Sequence, residues 1–334
     1  MKAMVLRSFR PVEERPLGAE DVPVPNPGPG ELLVRVGVCG VCRTDLHTVE
    51  GELPEAALPV IPGHQVVGTV AARGEGCGRF GVGDRVGAAW LHRACGTCLY
   101  CRQGRENLCL EGRFTGYHAN GGYAEFMTVP EAFAYAVPAA FTDEEAAPLL
   151  CAGIIGFRAL RLSGIAPGRT LGLYGFGASA HIAVQVAVHW GCRVYAFSRS
   201  REHRSMALEL GAAWAGSADE SPPAQTDAAV IFAPAGGLVP LALANTAKGG
   251  TVALAGIYMT PVPAMDYQEH LYQERVLRSV ANATREDGDE LLKLAAAIPI
   301  RTTTNAYPLG EANRVLQRLK EGLISGAAVL KIGP

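Results

Sequence analysis

The sequence is short of charge, of lysine and of aromatic side chains. Charged residues make up 19% of its 334 positions and aromatics 7%, and the net charge is −2. No block of like charge points to an interaction tail, and no basic stripe points to nucleic acid. The lysines are Lys2, Lys248, Lys293, Lys320 and Lys331, against many arginines, a bias that reads as genome composition. No uninterrupted apolar run approaches the roughly 18 residues that a membrane helix needs. Residues 1–8 hold no long apolar segment, so no signal peptide is expected. These absences lead to the expectation of a cytoplasmic protein with no membrane and no nucleic-acid partner.

What is present fits a globular chain with a sizeable core: 49% of residues are hydrophobic. The length suggests about two domains. Nine cysteines in a reducing compartment point to metal binding or catalysis more than to disulfides. Cysteine thiolate and histidine are the preferred protein ligands of zinc. Cys42 and His64 lie 22 positions apart, each near glycine and flanked by apolar runs. A third ligand is sought, and Cys151, in the apolar run 147–153, is the candidate. By itself each has a plainer reading, since cysteine is often simply a core residue.

Cys95, Cys98, Cys101 and Cys109 follow the spacing C-x2-C-x2-C-x7-C in a polar, glycine-containing stretch. Four close thiols can wrap one tetrahedral zinc with little loop-closure cost and leave no position open, so such a site is structural. The competing readings are two disulfides or a redox C-x-x-C pair.

Apolar–polar alternation before about Thr142 reads as an all-β, barrel-like domain, with strands at 31–37, 66–72 and 84–89 and little helical periodicity. From Thr142 onward strands and helices alternate, which suggests a doubly wound parallel sheet. The strand 169–174 runs into Gly175-Phe-Gly177-Ala-Ser-Ala180 and then a helix and a second strand. In that context the glycines suit a dinucleotide turn: Gly175 for the tight turn, Gly177 for close approach of a pyrophosphate, and Ala180 for helix–sheet packing. Further helices are expected at 238–247 and 286–297, and a strand at 250–257. The second strand ends without a carboxylate. Arg199, with Ser198, Ser200 and Arg204, suits a 2′-phosphate, so NADP is favoured over NAD.

Together these pieces resemble the zinc-dependent medium-chain alcohol dehydrogenases over nearly the whole chain. The matching segments are 42–47 (Cys-Arg-Thr-Asp-Leu-His), 62–64 (Pro-Gly-His), 83–86 (Gly-Asp-Arg-Val), the four-cysteine lobe, 147–153 and the dinucleotide turn. The resemblance implies an α/β plus β protein: a GroES-like catalytic domain over 1–150, a Rossmann domain over 151–290 and a return segment over 291–334 that completes the first. It implies catalytic zinc on Cys42, His64 and Cys151, and structural zinc on Cys95, Cys98, Cys101 and Cys109. By the same carry-over Thr44 and His47 relay a proton, Asp45 orients His64, and Trp90 lines the substrate pocket. Leu53, Phe114, Tyr117 and Ile257 are further pocket candidates, and core packing is the other reading of Trp90. Arg43 is a candidate for the cofactor phosphates. Gln65 stands where the family usually has glutamate, which removes a negative charge near the metal. The implied activity is hydride transfer between an alcohol, held as its alkoxide on zinc, and NAD(P), in a homodimer or homotetramer. Two alternatives stand beside it: a zinc-free quinone or enone reductase on the same fold, and a non-catalytic dinucleotide-binding protein.

Overall fold

The structure, a computed structural model, describes residues 1–53, 56–298 and 300–332. The chain divides into two compact units: Met1–Cys151 with Thr284–Ala297 and Arg301–Pro334, and Ala152–Ala283 with Ile298–Ile300. Among the described residues no single helix is long and apolar enough to cross a membrane.

The first unit is built on a seven-stranded sheet whose axis is the long strand Glu31–Val41. Its valines and leucines are buried on both faces, against Gln65–Arg73 on one edge and Ala327–Lys331 on the other. The C-terminal segment therefore completes the sheet that the N-terminal segment starts. Leu6, Leu32, Val66, Met127, Leu316 and Leu330 form its core.

Two features depart from the expected layout. A helix, Arg43–Glu50, lies in the region read as all-β. It is short and mostly polar, so apolar periodicity cannot reveal it. In the structure its ends are well defined: Cys42 and Asp45 form a capping box, and Gly51 closes it in the left-handed conformation at φ 75°. The return to the first unit also begins earlier than 291, at Thr284. The helix Arg285–Ala297 starts from a buried Thr284–Asp287 cap and is held in the first unit at its N-terminus. There Arg285 N and Nε donate to Glu106 Oε1 at 3.0 and 3.1 Å.

The second unit carries a six-stranded, all-parallel sheet. Numbered by chain order within this sheet, the strands lie 3-2-1-4-5-6, so the order reverses beside the first strand, Thr170–Tyr174. Such a reversal is where doubly wound sheets bind dinucleotides, at the carboxyl ends of the strands. Tyr174 and Phe197, at the ends of the first two strands, stack with centroids 4.1 Å apart. The expected helix 238–247 ends at Ala244, and the strand expected at 250–257 runs over Thr246–Leu254. Thr246 is already paired with Thr226 in the sheet, and pairing with the buried neighbouring strand overrides helical propensity there.

Candidate functional site

Register builds the first half of the site. Gly40 pairs with Gln65 in the antiparallel ladder. Cys42, two residues beyond Gly40, and His64, one before Gln65, therefore leave adjacent strand ends side by side. Cys151 arrives from a separate direction, as the cap of the buried 3-10 turn Ala147–Leu150. One ligand atom from each of the three lies within 4.8 Å of the others, and Cys42 Sγ is 3.3 Å from His64 Nε2. A tetrahedral zinc with ordinary Zn–S and Zn–N bonds would separate such a pair by about 3.6 Å. The donors thus fit a zinc ion.

Asp45 ties this arrangement together. Its Oδ2 accepts from Cys42 N at 2.9 Å, capping the helix, while its Oδ1 is 3.1 Å from His64 Nδ1. Asp45 and His64 are both buried. A carboxylate on Nδ1 fixes the imidazole tautomer and leaves Nε2 free as a ligand. Contact with Cys151, followed by burial, pushes the Cys42 thiol up. Burial alone would lower His64, but the Asp45 carboxylate and the contact with Cys42 outweigh it and hold the imidazole well above its usual range. Without a cation these groups retain their protons, and a metal ion would displace them.

The neighbours set the character of the site. Thr44 and His47 share one face of the helix Arg43–Glu50, and His47 Nδ1 contacts the Glu52 carboxylate. Gln65 is buried with Nε2 unpartnered. Trp90 meets the His64 ring in a T-shaped contact at 5.0 Å and stacks on Phe114 at 5.1 Å, with Tyr117 at 5.7 Å. Of the weaker pocket candidates, Phe114 and Tyr117 therefore join Trp90. Leu53 is half-buried, and Ile257 is an exposed residue of the second unit. Glu52 is the polar partner that sequence reading missed; its separation of five from His47 follows no helical spacing, because Gly51 ends the helix between them.

The four-cysteine lobe is equally ordered. The four thiols lie within 4.8 Å of one another, with Cys95–Cys101 at 3.9 Å and Cys98–Cys109 at 4.0 Å. A tetrahedron of Zn–S bonds has edges of about 3.8 Å. All four cysteines are free thiols. Backbone amides already serve the sulfurs: Cys98 N donates to Cys95 Sγ and Cys95 N to Cys109 Sγ, each at 3.3 Å. The amides of Cys98 and Thr97 pull Cys95 down to about 6, whereas desolvation lifts Cys101 to about 12. Cys95 is thus primed as a thiolate, the form that binds metal.

In the second unit Gly175 has φ +87°, and a Cβ there would lie 2.8 Å from Ala233. That turn tolerates only glycine. Gly177 caps the helix Ala178–His189, and a Cβ on it would meet nothing within 4 Å, so the helix N-terminus stays open to a ligand. Ala180 is fully buried against the sheet. Past the second strand, Ser198 is buried and Arg199 exposed. Ser200 Oγ caps the next helix by accepting from His203 N at 3.3 Å. Arg204 donates to Ser198 O at 3.3 Å and lies 3.8 Å from Glu220. Arg43 is an exposed residue of the first unit.

Comparison with known proteins agrees with this picture. Residues 28–139 match the alcohol dehydrogenase GroES-like domain and residues 180–297 the zinc-binding dehydrogenase domain. A probable alcohol dehydrogenase, AdhA, of Mycobacterium tuberculosis is 51% identical, over 99% of this chain and 97% of its own. Among solved structures, AibC superposes with a TM-score of 0.92 at 31% identity, covering 100% of this chain and 96% of its own. A thermostable alcohol dehydrogenase from Pyrobaculum aerophilum, solved with cobalt and zinc bound, superposes at 0.90 with 27% identity and 99% coverage of both chains.

Proposed function

The chain belongs to the zinc-binding alcohol dehydrogenase family, enzymes that interconvert alcohols and aldehydes with a nicotinamide cofactor, and from that premise we propose that its reaction depends on zinc held by Cys42, His64 and Cys151. The observation that carries this reading is the convergence of three donor atoms within 4.8 Å, with Asp45 holding the proton on the far side of His64. When bound, zinc at such a site lowers the pKa of a coordinated alcohol, which makes hydride departure feasible. The chain's own residues supply the rest. Cys42 and Cys151 offer two negative charges that balance a divalent cation. Thr44 accepts the substrate proton on its hydroxyl and passes it toward His47, whose contact with Glu52 leads it outward. Trp90, backed by Phe114, gives the substrate an apolar wall that favours alkyl or aromatic alcohols over sugars. A second zinc, on Cys95, Cys98, Cys101 and Cys109, is structural.

Substitution of Cys151 by serine tests the assignment. Zinc content should fall from two per chain to one, with turnover lost. Retention of both metals would refute it. No observation favours a zinc-free reductase, because all three donors are present and gathered.

The proposed cofactor is NADP. The exposed Arg199 guanidinium, beside the buried Ser198, offers a fork suited to a 2′-phosphate, and Arg204 flanks it. Arg199→Asp should reverse the NADPH/NADH ratio of kcat/KM. An unchanged ratio would exclude Arg199 as the residue that binds the 2′-phosphate. A homodimer or homotetramer is supported by the sheet edge Val276–Ser279, which pairs on one side only among the described residues. Val276, its first residue, is exposed, as are Tyr267 and Tyr272 in the segment that leads into it, and open edges of this kind invite pairing with a second copy.

A further inference from the structure

Tyr123 is one of the largest side chains with no solvent exposure, and its hydroxyl is buried without a hydrogen-bond partner. An unsatisfied hydroxyl in a core calls for an explanation, because replacing it with apolar surface would remove the cost. Its surroundings are specific. Residues 121–123 run alongside 61–63: Gly121 N donates to Ile61 O at 2.7 Å, Gly122 N to Gly63 O at 2.9 Å and Tyr123 N to Pro62 O at 3.0 Å. Met4 N donates to Tyr123 O at 2.8 Å from the other side. Gly63 has φ +97°, and a Cβ on it would lie 2.4 Å from Tyr123 Cδ1. The tyrosine ring thus packs directly on the backbone that presents His64, in space that only glycine leaves free.

Asp45, the partner of His64 Nδ1, is among the groups that act on the Tyr123 hydroxyl. A phenol is protonated at neutral pH, so the buried hydroxyl is a donor. Asp45 engages each oxygen once, Oδ1 with His64 Nδ1 and Oδ2 with Cys42 N. A carboxylate oxygen accepts more than one hydrogen bond, so Asp45 has capacity left.

We propose that Tyr123 is a positioning residue for His64: its ring braces Gly63 and its hydroxyl supplies Asp45 with a third donor in the metal-loaded protein. The two functions act on the imidazole from its backbone and from its Nδ1 side. The proposal rests on reading Cys42, His64 and Cys151 as zinc ligands. It assigns the hydroxyl a role that packing alone does not require.

The test compares Tyr123→Phe, which keeps the ring, with Tyr123→Leu, which removes both functions, in the full-length protein loaded with zinc. Release of zinc to a chelator should be about 10-fold faster for Tyr123→Phe at the three-ligand site, in line with losses seen when outer-shell partners of metal ligands are removed. The four-cysteine site should release at the wild-type rate and so serves as an internal control. The His64 Nδ1 proton, followed by NMR on 15N-histidine protein, should shift and exchange faster in Tyr123→Phe. Tyr123→Leu should add a loss of thermal stability. Wild-type release and an unmoved imidazole proton in Tyr123→Phe would overturn the proposal and reduce Tyr123 to packing. A wild-type protein that loads no zinc at Cys42, His64 and Cys151 would instead sink the functional reading, and the Nδ1 proton, observable without metal, would still decide the role of Tyr123.

Discussion

Replacing Asp45 with asparagine should separate the two functions that its carboxylate combines. An asparagine side-chain oxygen accepts a hydrogen bond as a carboxylate oxygen does, so from the third helical position it can still accept from Cys42 N, which now lies 2.9 Å from Oδ2. The amide nitrogen then faces His64 Nδ1 across the present 3.1 Å contact. Two donors cannot share that contact, so the imidazole must give up its Nδ1 proton and carry it on Nε2, the atom 3.3 Å from Cys42 Sγ. The change therefore acts on the ligand atom itself, from the far side of the ring. Removal of such a partner weakens metal binding by about 10–100-fold, equivalent to roughly 1.4–2.7 kcal/mol. The fold should lose little, because the cap survives. Competition with a chromogenic chelator reads the affinity, the four-cysteine zinc reports on integrity, and turnover should fall with site occupancy. An Asp45→Asn protein that holds the three-ligand zinc within threefold of wild type would refute the reasoning.

Other perturbations follow from the same geometry. Gln65→Glu adds a negative charge beside His64 and should slow zinc loss and change turnover; unchanged values for both would show that the neutral amide is without consequence. His92 is buried with Nδ1 unpartnered, and burial depresses it from 6.5 to about 4. It stays neutral in the fold but charges in the unfolded chain, so the stability it preserves is full above pH 6.5 and is lost as pH falls toward 4. The shift corresponds to about 3 kcal/mol at most. His92→Phe should flatten the urea-denaturation stability curve between pH 6.5 and 4, and an equally steep curve in the variant would exclude His92 as its source.

What could be read from the sequence was what depends on neighbours in the chain. The four-cysteine lobe closes within 15 residues, Cys95 to Cys109, so its spacing nearly dictates its geometry. The turn at Gly175 follows from a glycine between a buried strand and a helix. Long-range assembly was less visible. Cys151 carries no local mark of a ligand, and only the packing of its turn against the sheet brings it to Cys42. The helix Arg43–Glu50 escaped because its capping box is made by a cysteine, a residue that pattern reading does not expect at a helix start. The early return at Thr284 depends on Glu106, 179 residues away, accepting from Arg285. The stack of Trp90 on Phe114 was equally invisible, since Trp90 precedes one strand of a short ribbon, Phe114 lies in the other, and the register shifts between them.

The central claim is a zinc ion gripped by Cys42, His64 and Cys151. Anomalous diffraction at the zinc edge, on crystals grown from zinc-supplemented protein, tests it directly. Two peaks per chain are predicted, one among Cys95, Cys98, Cys101 and Cys109 and one about 2.3 Å from the sulfurs of Cys42 and Cys151 and about 2.0 Å from His64 Nε2. A single peak, confined to the four-cysteine lobe, would contradict the account.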